Sequence, residues 1–269
     1  GGAITLNYGF TNAAWAILAL IFVIFISGTP ISFYAAKYGV DIDLLSRGAG
    51  FGYIGSTIAS LIYASFTFIF FALEAAIMSM ALELLFGLPL YLGYALSALV
   101  VMPLVTHGIT YISRFQVWTQ PIWIVLQLIP LLYVFNHPDS SLREWVNFTG
   151  DAEVSPGTFN IFMFGAASAV LLSLVAQIGE QVDVLRFLPP KPKNEGAHKW
   201  WFALIMAGPG WIIFGAGKLF LGSFLAYLAL KQGVTRDLAS DPAHMYQVAF
   251  GYIFNNTTAS VVIATAFVI

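Results

Sequence analysis

The chain contains no cysteine, which excludes disulfides, thiol catalysis and cysteine-ligated metal. Charge is scarce as well. Asp, Glu, Lys and Arg make up 9% of the 269 residues, against about 25% in soluble domains. The shortage runs along the whole chain, so the composition implies a polytopic membrane protein rather than a soluble domain with an anchor. Net charge is −2 and no basic block is present, so nucleic-acid binding has no electrostatic footprint. The start, GGAITLNYGF, lacks an initiator Met and a basic n-region, so no signal peptide is visible. The end, ASVVIATAFVI, stops inside an apolar run. The expectation is one membrane domain over residues 1–269, cut from something longer at both ends.

What is abundant is apolar sequence: 59% of residues, with a mean hydropathy of +0.84. Hydropathy marks seven apolar segments, at 13–36, 53–86, 90–105, 116–135, 158–185, 200–230 and 246–269. They are too long for barrel strands and lack strand alternation. The third is short for a span and lies between Pro89 and Pro103.

Loop charges set an orientation. With the loop after the first segment in the cytoplasm, that side holds Lys37, Arg47, Arg114, Arg186, Lys191, Lys193 and Lys199. The other side holds Arg143, Lys231 and Arg236, and Lys218 lies inside a segment. Seven against three satisfies the positive-inside rule. The longest outer loop, 136–157, carries Asp139, Glu144, Asp151 and Glu153, and its SLREWV stretch is expected to form a short surface helix.

Glu74 lies near the middle of a 33-residue apolar stretch, Ile54–Phe86. An ionisable group there costs roughly 2.5–3.5 kcal/mol on the lenient insertion scales, so such a group tends to face a cavity, a partner or a substrate. Lys218 falls at a roughly matching depth of the sixth segment, and pairing would lower the cost of both charges. The alternative is a protonated Glu74 and a snorkelling Lys218.

Segment five ends in SLVAQIGEQVDVLRFLPP, which crowds Gln177, Glu180, Gln181 and Asp183 into its cytoplasmic half. Its small residues Gly165 to Ala169, with Ser168 among them, permit an unwound stretch that would bind ions or solutes. The plainer account is a helix emerging into water with Arg186 paired to Asp183. Gly208-Pro209-Gly210, followed by Trp211, predicts a kink in segment six.

Other motifs carry less. Gly50-Phe-Gly52-Tyr-Ile-Gly55 satisfies the dinucleotide pattern but lies between two spans, without the required strand. Its glycines are expected to let a cytoplasmic loop pack tightly on the second span. Asn147-Phe-Thr149 and Asn256-Thr-Thr258 match a glycosylation pattern, the second at or in a span. His107, His137, His198 and His244 have no metal-ligand spacing, so no metal site is expected. No Ser–His, HExxH or paired-Asp arrangement lies within the spans, so an enzyme is not expected either.

The stretch AKYGVDIDLLSRGAGFGYIGS, with Ser46-Arg47 and Phe51-Gly52, resembles the loop between helices two and three of the nucleobase–cation symporter family. Asp183-Val-Leu-Arg186-Phe187 is similar to that family's signature after helix six. The resemblance implies that the seven segments are helices two to eight of a five-plus-five inverted-repeat, leucine-transporter-like fold. GFGYIGS, SLIYASFTFIFFALEAAIM, QIGEQVDVLRFLP and AGPGW resemble, more closely, the permease-like membrane regions of bacterial hybrid sensor histidine kinases.

The resemblance implies a purine- or cytosine-like solute stacked on an aromatic in helix three, with a hydrogen bond from a residue one turn later. The matching positions are Phe70 and Glu74, where Phe replaces the family's usual Trp and Glu its usual Gln. The family's Trp in helix six has no counterpart between Phe159 and Val175, and an amine-bearing or cationic solute suits Glu74 equally. Candidate solute-binding residues are therefore Phe70, Glu74, Ser168, Ser173, Gln177 and Lys218. Arg47, Glu180, Asp183 and Arg186 are the candidates for the cytoplasmic gate and its loops.

No organic cofactor is implied. Sodium or a proton is the coupling cation open to such a protein, and helix one, which supplies half of the family's sodium site, has no counterpart in these segments. The expected setting is the bacterial inner membrane. Two activities share this membrane part: secondary transport by alternating access, or solute sensing for a covalently linked cytoplasmic kinase.

Overall fold

The computed structural model describes residues 1–136, 142–151, 157–193 and 196–268. His137, Asp139, Ser141, Glu153 and Asn194 lie outside them. Among the described residues there is no β-strand, and four helical stretches are long and apolar enough to cross a bilayer. They are Gly2–Tyr38, Ile42–Phe86, Ile161–Leu185 and Ala197–Lys231. A bent pair, Leu90–Thr106 with Thr110–Leu128, turns through 120° and makes a fifth if counted as one span. The chain is an all-α, multi-pass membrane protein.

In chain order the helices are α1 (Gly2–Tyr38), α2 (Ile42–Ser46), α3 (Gly52–Phe86), α4 (Leu90–Thr106), α5 (Ile109–Asn136) and α6 (Leu142–Val146). They continue with α7 (Ile161–Leu172), α8 (Ile178–Leu185), α9 (Ala197–Ala207) and α10 (Trp211–Lys231). The last are α11 (Arg236–Ser240), α12 (Pro242–Gly251) and α13 (Asn256–Val268). The third and fourth apolar segments thus meet at a sharp bend. The seventh divides into α12 and α13 because Asn255 caps a new helix, its Oδ1 accepting the Thr258 N–H at 2.9 Å. That side-chain acceptor satisfies a donor that a continuous helix would bond internally.

The chain divides into two compact units: Asn7–Ile69 with Thr149–Leu221 and Gly1, and Gly2–Leu6 with Phe70–Phe148 and Gly222–Ile269. In the first unit, α1 is interrupted at Gly9, whose φ of 79° and ψ of 162° no helical residue adopts. The connection before α7 closes on that break. Asp151 N–H donates to Asn7 O at 3.2 Å, and Asn12 Nδ2 donates to Thr158 O at 3.1 Å. Gly150 comes so close that a Cβ there would stand 2.4 Å from the Gly9 nitrogen. At the other end, Ala35, Ala36, Val182, Leu185, Trp200 and Leu204 form a buried core against Ile42 and Leu45. This core gathers α1, α2, α8 and α9, the elements that border the loops assigned to the cytoplasm.

Between α2 and α3, residues Arg47–Phe51 form a π-helical turn. The sequence expectation of tight packing holds at Gly55, where a Cβ would stand 2.8 Å from Phe51 Cβ, whereas nothing lies within 4 Å of a Cβ built at Gly50 or Gly52. The role of these two is conformational, since Gly50 and Gly52 have φ of 105° and 64°, which side chains disfavour.

In the second unit, Leu142–Val146 of the expected stretch form α6, and this helix is tied down. Trp145 Nε1 donates to Ser223 Oγ at 3.0 Å, and Glu144 accepts from Tyr227 at 2.8 Å and pairs with Lys231 at 2.6 Å. Phe250, Ala259 and Ile263 form a separate buried core with Leu84, Tyr246 and Phe254 around it.

Candidate functional site

Segment five carries a change of helix type. α7 starts at the cap residue Asn160, whose side chain accepts the N–H groups of Phe162 and Met163. The span stays α-helical through Gly165–Ala169, because alanine is the best helix former and one glycine is tolerated. The expected unwinding is absent there. Instead, Ser173–Gln177 tighten into a 3₁₀ turn before α8 resumes at Ile178. The change from α to 3₁₀ bonding falls at the junction of Leu172 and Ser173. Ser168, just ahead of that junction, is buried and its hydroxyl has no hydrogen-bond partner.

Segment six is broken where its Gly-Pro-Gly predicted. α9 ends at Ala207, residues 208–210 form a turn, and α10 starts at Trp211. The break packs closely on its neighbours: a Cβ at Gly208 would stand 2.7 Å from Ser32 Oγ and 3.0 Å from Leu185 Cδ1. The Trp211 indole N–H is buried without a partner.

Between these breaks lies Gln181, only 2% exposed. Its Oε1 accepts from Ser32 Oγ at 2.8 Å, while its Nε2 has no partner. Gly28 of α1 abuts the same carboxamide, its virtual Cβ 3.0 Å from Oε1 and 3.4 Å from Pro209 Cβ. Gln181 therefore joins α1, α8 and the α9–α10 break. The sequence shows Gln181 as polar but says nothing of Ser32 or Gly28, since the bonded pair is 149 positions apart.

On the same helix, Asp183 Oδ2 accepts from Tyr63 Oη at 2.9 Å. Arg186 does not pair with Asp183. It reaches Asp41 at 3.9 Å and lies 4.8 Å from the Phe187 ring centre. Asp183 is already engaged by Tyr63, and one α-helical step of three places Arg186 nearer the α1–α2 connection. Arg47 pairs with Asp43 at 2.6 Å and donates to Ser56 Oγ at 3.3 Å. Gln177 Nε2 donates to Glu180 Oε2 at 3.3 Å. The four candidate gate residues thus sit in local networks of the first unit.

The solute-binding candidates are spread over both units. Ser168, Ser173, Gln177 and Lys218 belong to the first, and Phe70 and Glu74 to the second. Ser173 is exposed and its hydroxyl bonds back to Val170 O at 2.7 Å. Lys218 and Glu74 are exposed, and Phe70 is half-buried. Among the described residues, no group of three or more His, Asp or Glu is placed to hold a metal ion.

No family model, no curated protein and no solved structure matches the chain.

Proposed function

We propose that the chain is the membrane part of a solute-binding transporter, supplying helices two to eight of a leucine-transporter-like inverted repeat. The observation that carries this reading is the interrupted fifth segment. A 3₁₀ turn inside a 25-residue apolar span, preceded by a buried serine hydroxyl without a partner, offers polar groups where the bilayer offers none. Discontinuous helices with unpaired polar groups are the usual place for solutes in such folds. The break at Gly208–Gly210 supplies a second discontinuity in the same unit.

The solute of this proposal is small, polar and planar, with a purine or pyrimidine as first candidate. Phe70 would stack on it and Glu74 would take an edge N–H or a cationic group. The protein would lie in a bacterial inner membrane with the loop 186–199 inside.

The experiment is binding and uptake of uracil, cytosine, hypoxanthine and a set of small amines by the purified chain in proteoliposomes. Saturable binding with uptake, both lost in Glu74→Ala, supports a carrier. Binding without uptake moves the assignment to a solute-sensing input domain for a cytoplasmic kinase. Undiminished binding by Glu74→Ala overturns the site.

A further inference from the structure

A groove of about 700 Å³ opens beside the last turns of α1 and is walled by Pro30, Ile31, Tyr34, Tyr38, Leu44 and Leu45. Residues 30, 34 and 38 recur every four positions, so they share one face of α1. The π-helical turn at Gly48 and Ala49 closes the far side. The walls are open rather than packed: Tyr34, Tyr38 and Leu44 are 47%, 60% and 48% exposed.

Two features fix its depth. Tyrosines and a lysine at the end of a long apolar helix mark the boundary between hydrocarbon and water. Here Tyr34 and Tyr38 are stacked 6.1 Å apart, with Lys37 Nζ 5.9 and 5.0 Å from their ring centres. A second pair repeats the pattern beside them. Trp201 stacks on Phe33 at 5.5 Å, with Lys191 Nζ 4.9 Å from its ring centre. The groove therefore meets lipid headgroups on one side and acyl chains on the other.

Charge fixes the occupant. Near the groove, Asp43 is engaged by Arg47 and Asp41 by Arg186. Among the described residues, no carboxylate lies within ion-pairing distance of Lys37, which is exposed. Lys37 thus adds a positive charge beside Tyr34 and Tyr38, two of the residues that wall this apolar slot. From this juxtaposition we propose that the groove is a binding site for an anionic phospholipid, with one acyl chain against Ile31 and Leu45 and the headgroup phosphate on Lys37. This site is independent of the solute site proposed above. Surface lysines typically gain about 1 kcal/mol from anionic headgroups, a factor of about five.

The test is native mass spectrometry of the purified full chain titrated with dioleoyl phosphatidylglycerol or dioleoyl phosphatidylcholine, which differ only in headgroup. The first bound lipid should favour phosphatidylglycerol by about five-fold. Lys37→Glu should abolish the preference and Lys37→Arg should keep it. Gly48→Leu should weaken binding of both lipids, because the new side chain enters a groove-lining position with nothing within 4 Å of its Cβ. Equal affinity for the two lipids, or a preference unchanged in Lys37→Glu, overturns the proposal. Wild-type monodispersity and helicity in each variant keep a folding defect from passing as a loss of lipid.

Discussion

Tyr63 Oη donates to Asp183 Oδ2 at 2.9 Å and thereby ties the first third of α3 to the end of α8. The acceptor is a carboxylate, and hydrogen bonds to charged groups contribute about 1.5–3 kcal/mol net. Tyr63→Phe leaves the ring in place and removes only the donor. It should lower the stability of the purified chain by an amount in that range, read from chemical unfolding in detergent. Tyr53→Phe, at a 71% exposed position, is the control and should change nothing measurable.

The same ring leans on Gly179, one turn before Asp183 on α8. A Cβ at Gly179 would stand 2.5 Å from Tyr63 Cδ2 and 3.0 Å from Cγ. Those are atoms at the root of the ring, so the ring must move and the bond to Asp183 must stretch. Gly179→Ala should cost about 1–3 kcal/mol through overpacking. In a double mutant with Tyr63→Phe the losses should fall short of their sum, because both disrupt one contact. Full additivity would separate the glycine from the tyrosine's hydrogen bond.

Gln181 and Ser32 make a buried pair in which one donor stays unsatisfied. Removing a partner from a buried polar group costs about 1–3 kcal/mol, whereas replacing both by apolar groups is nearly neutral. Ser32→Ala alone is therefore expected to destabilise, since it strands the Gln181 carbonyl as well as its amide. Ser32→Ala combined with Gln181→Leu should recover most of that loss in the same unfolding assay. A double mutant worse than either single variant would show that the carboxamide has a further role.

How far the sequence reaches is visible in these same residues. The helical membrane class was legible because long apolar runs with few charges have no other stable form in a bilayer. The break at Gly208–Gly210 was legible because proline lacks an N–H and its neighbours accept unusual backbone angles. The 3₁₀ turn was not, since Ser173, Leu174, Val175, Ala176 and Gln177 include neither glycine nor proline. Tertiary packing sets that turn, and local propensity is silent about it. The Tyr63–Asp183 and Ser32–Gln181 bonds join residues 120 and 149 positions apart. No periodicity reports such a pairing. The Arg186–Asp183 pair suggested by spacing lost to Asp41, which α2 brings within reach of the guanidinium.

Orientation is open to a direct probe, because a chain without cysteine makes any introduced thiol unique. Pro190 lies in the loop that the charge pattern assigns to the cytoplasm, and Leu142, the first residue of α6, lies in the loop that it assigns to the opposite side. In intact cells, Leu142→Cys should react with a membrane-impermeant maleimide. Pro190→Cys should react only after permeabilisation. The reverse pattern would invert the topology, and with it the placement of the loop 186–199 and of the groove beside Lys37.

The identity of the solute turns on Phe70 and Phe71. Residues 70 and 74 are one turn apart on α3 and share a face, with Cβ atoms about 5–6 Å from each other. A flat heteroaromatic stacked on Phe70 could then reach Glu74 with an edge N–H. Phe71 points about 100° away around the helix and is 39% exposed. Stacking contributes about 0.5–1.5 kcal/mol beyond the area buried, so Phe70→Ala should weaken binding of a nucleobase by about ten-fold or more. Phe70→Trp should keep or tighten it, since the larger ring offers more stacking surface. Glu74→Gln should retain part of the affinity if the carboxylate only exchanges hydrogen bonds, and lose it if the solute is a cation. Equal, small losses for Phe70→Ala and Phe71→Ala would mean that packing alone is at work. The planar solute would then be excluded, while an amine recognised by Glu74 would remain.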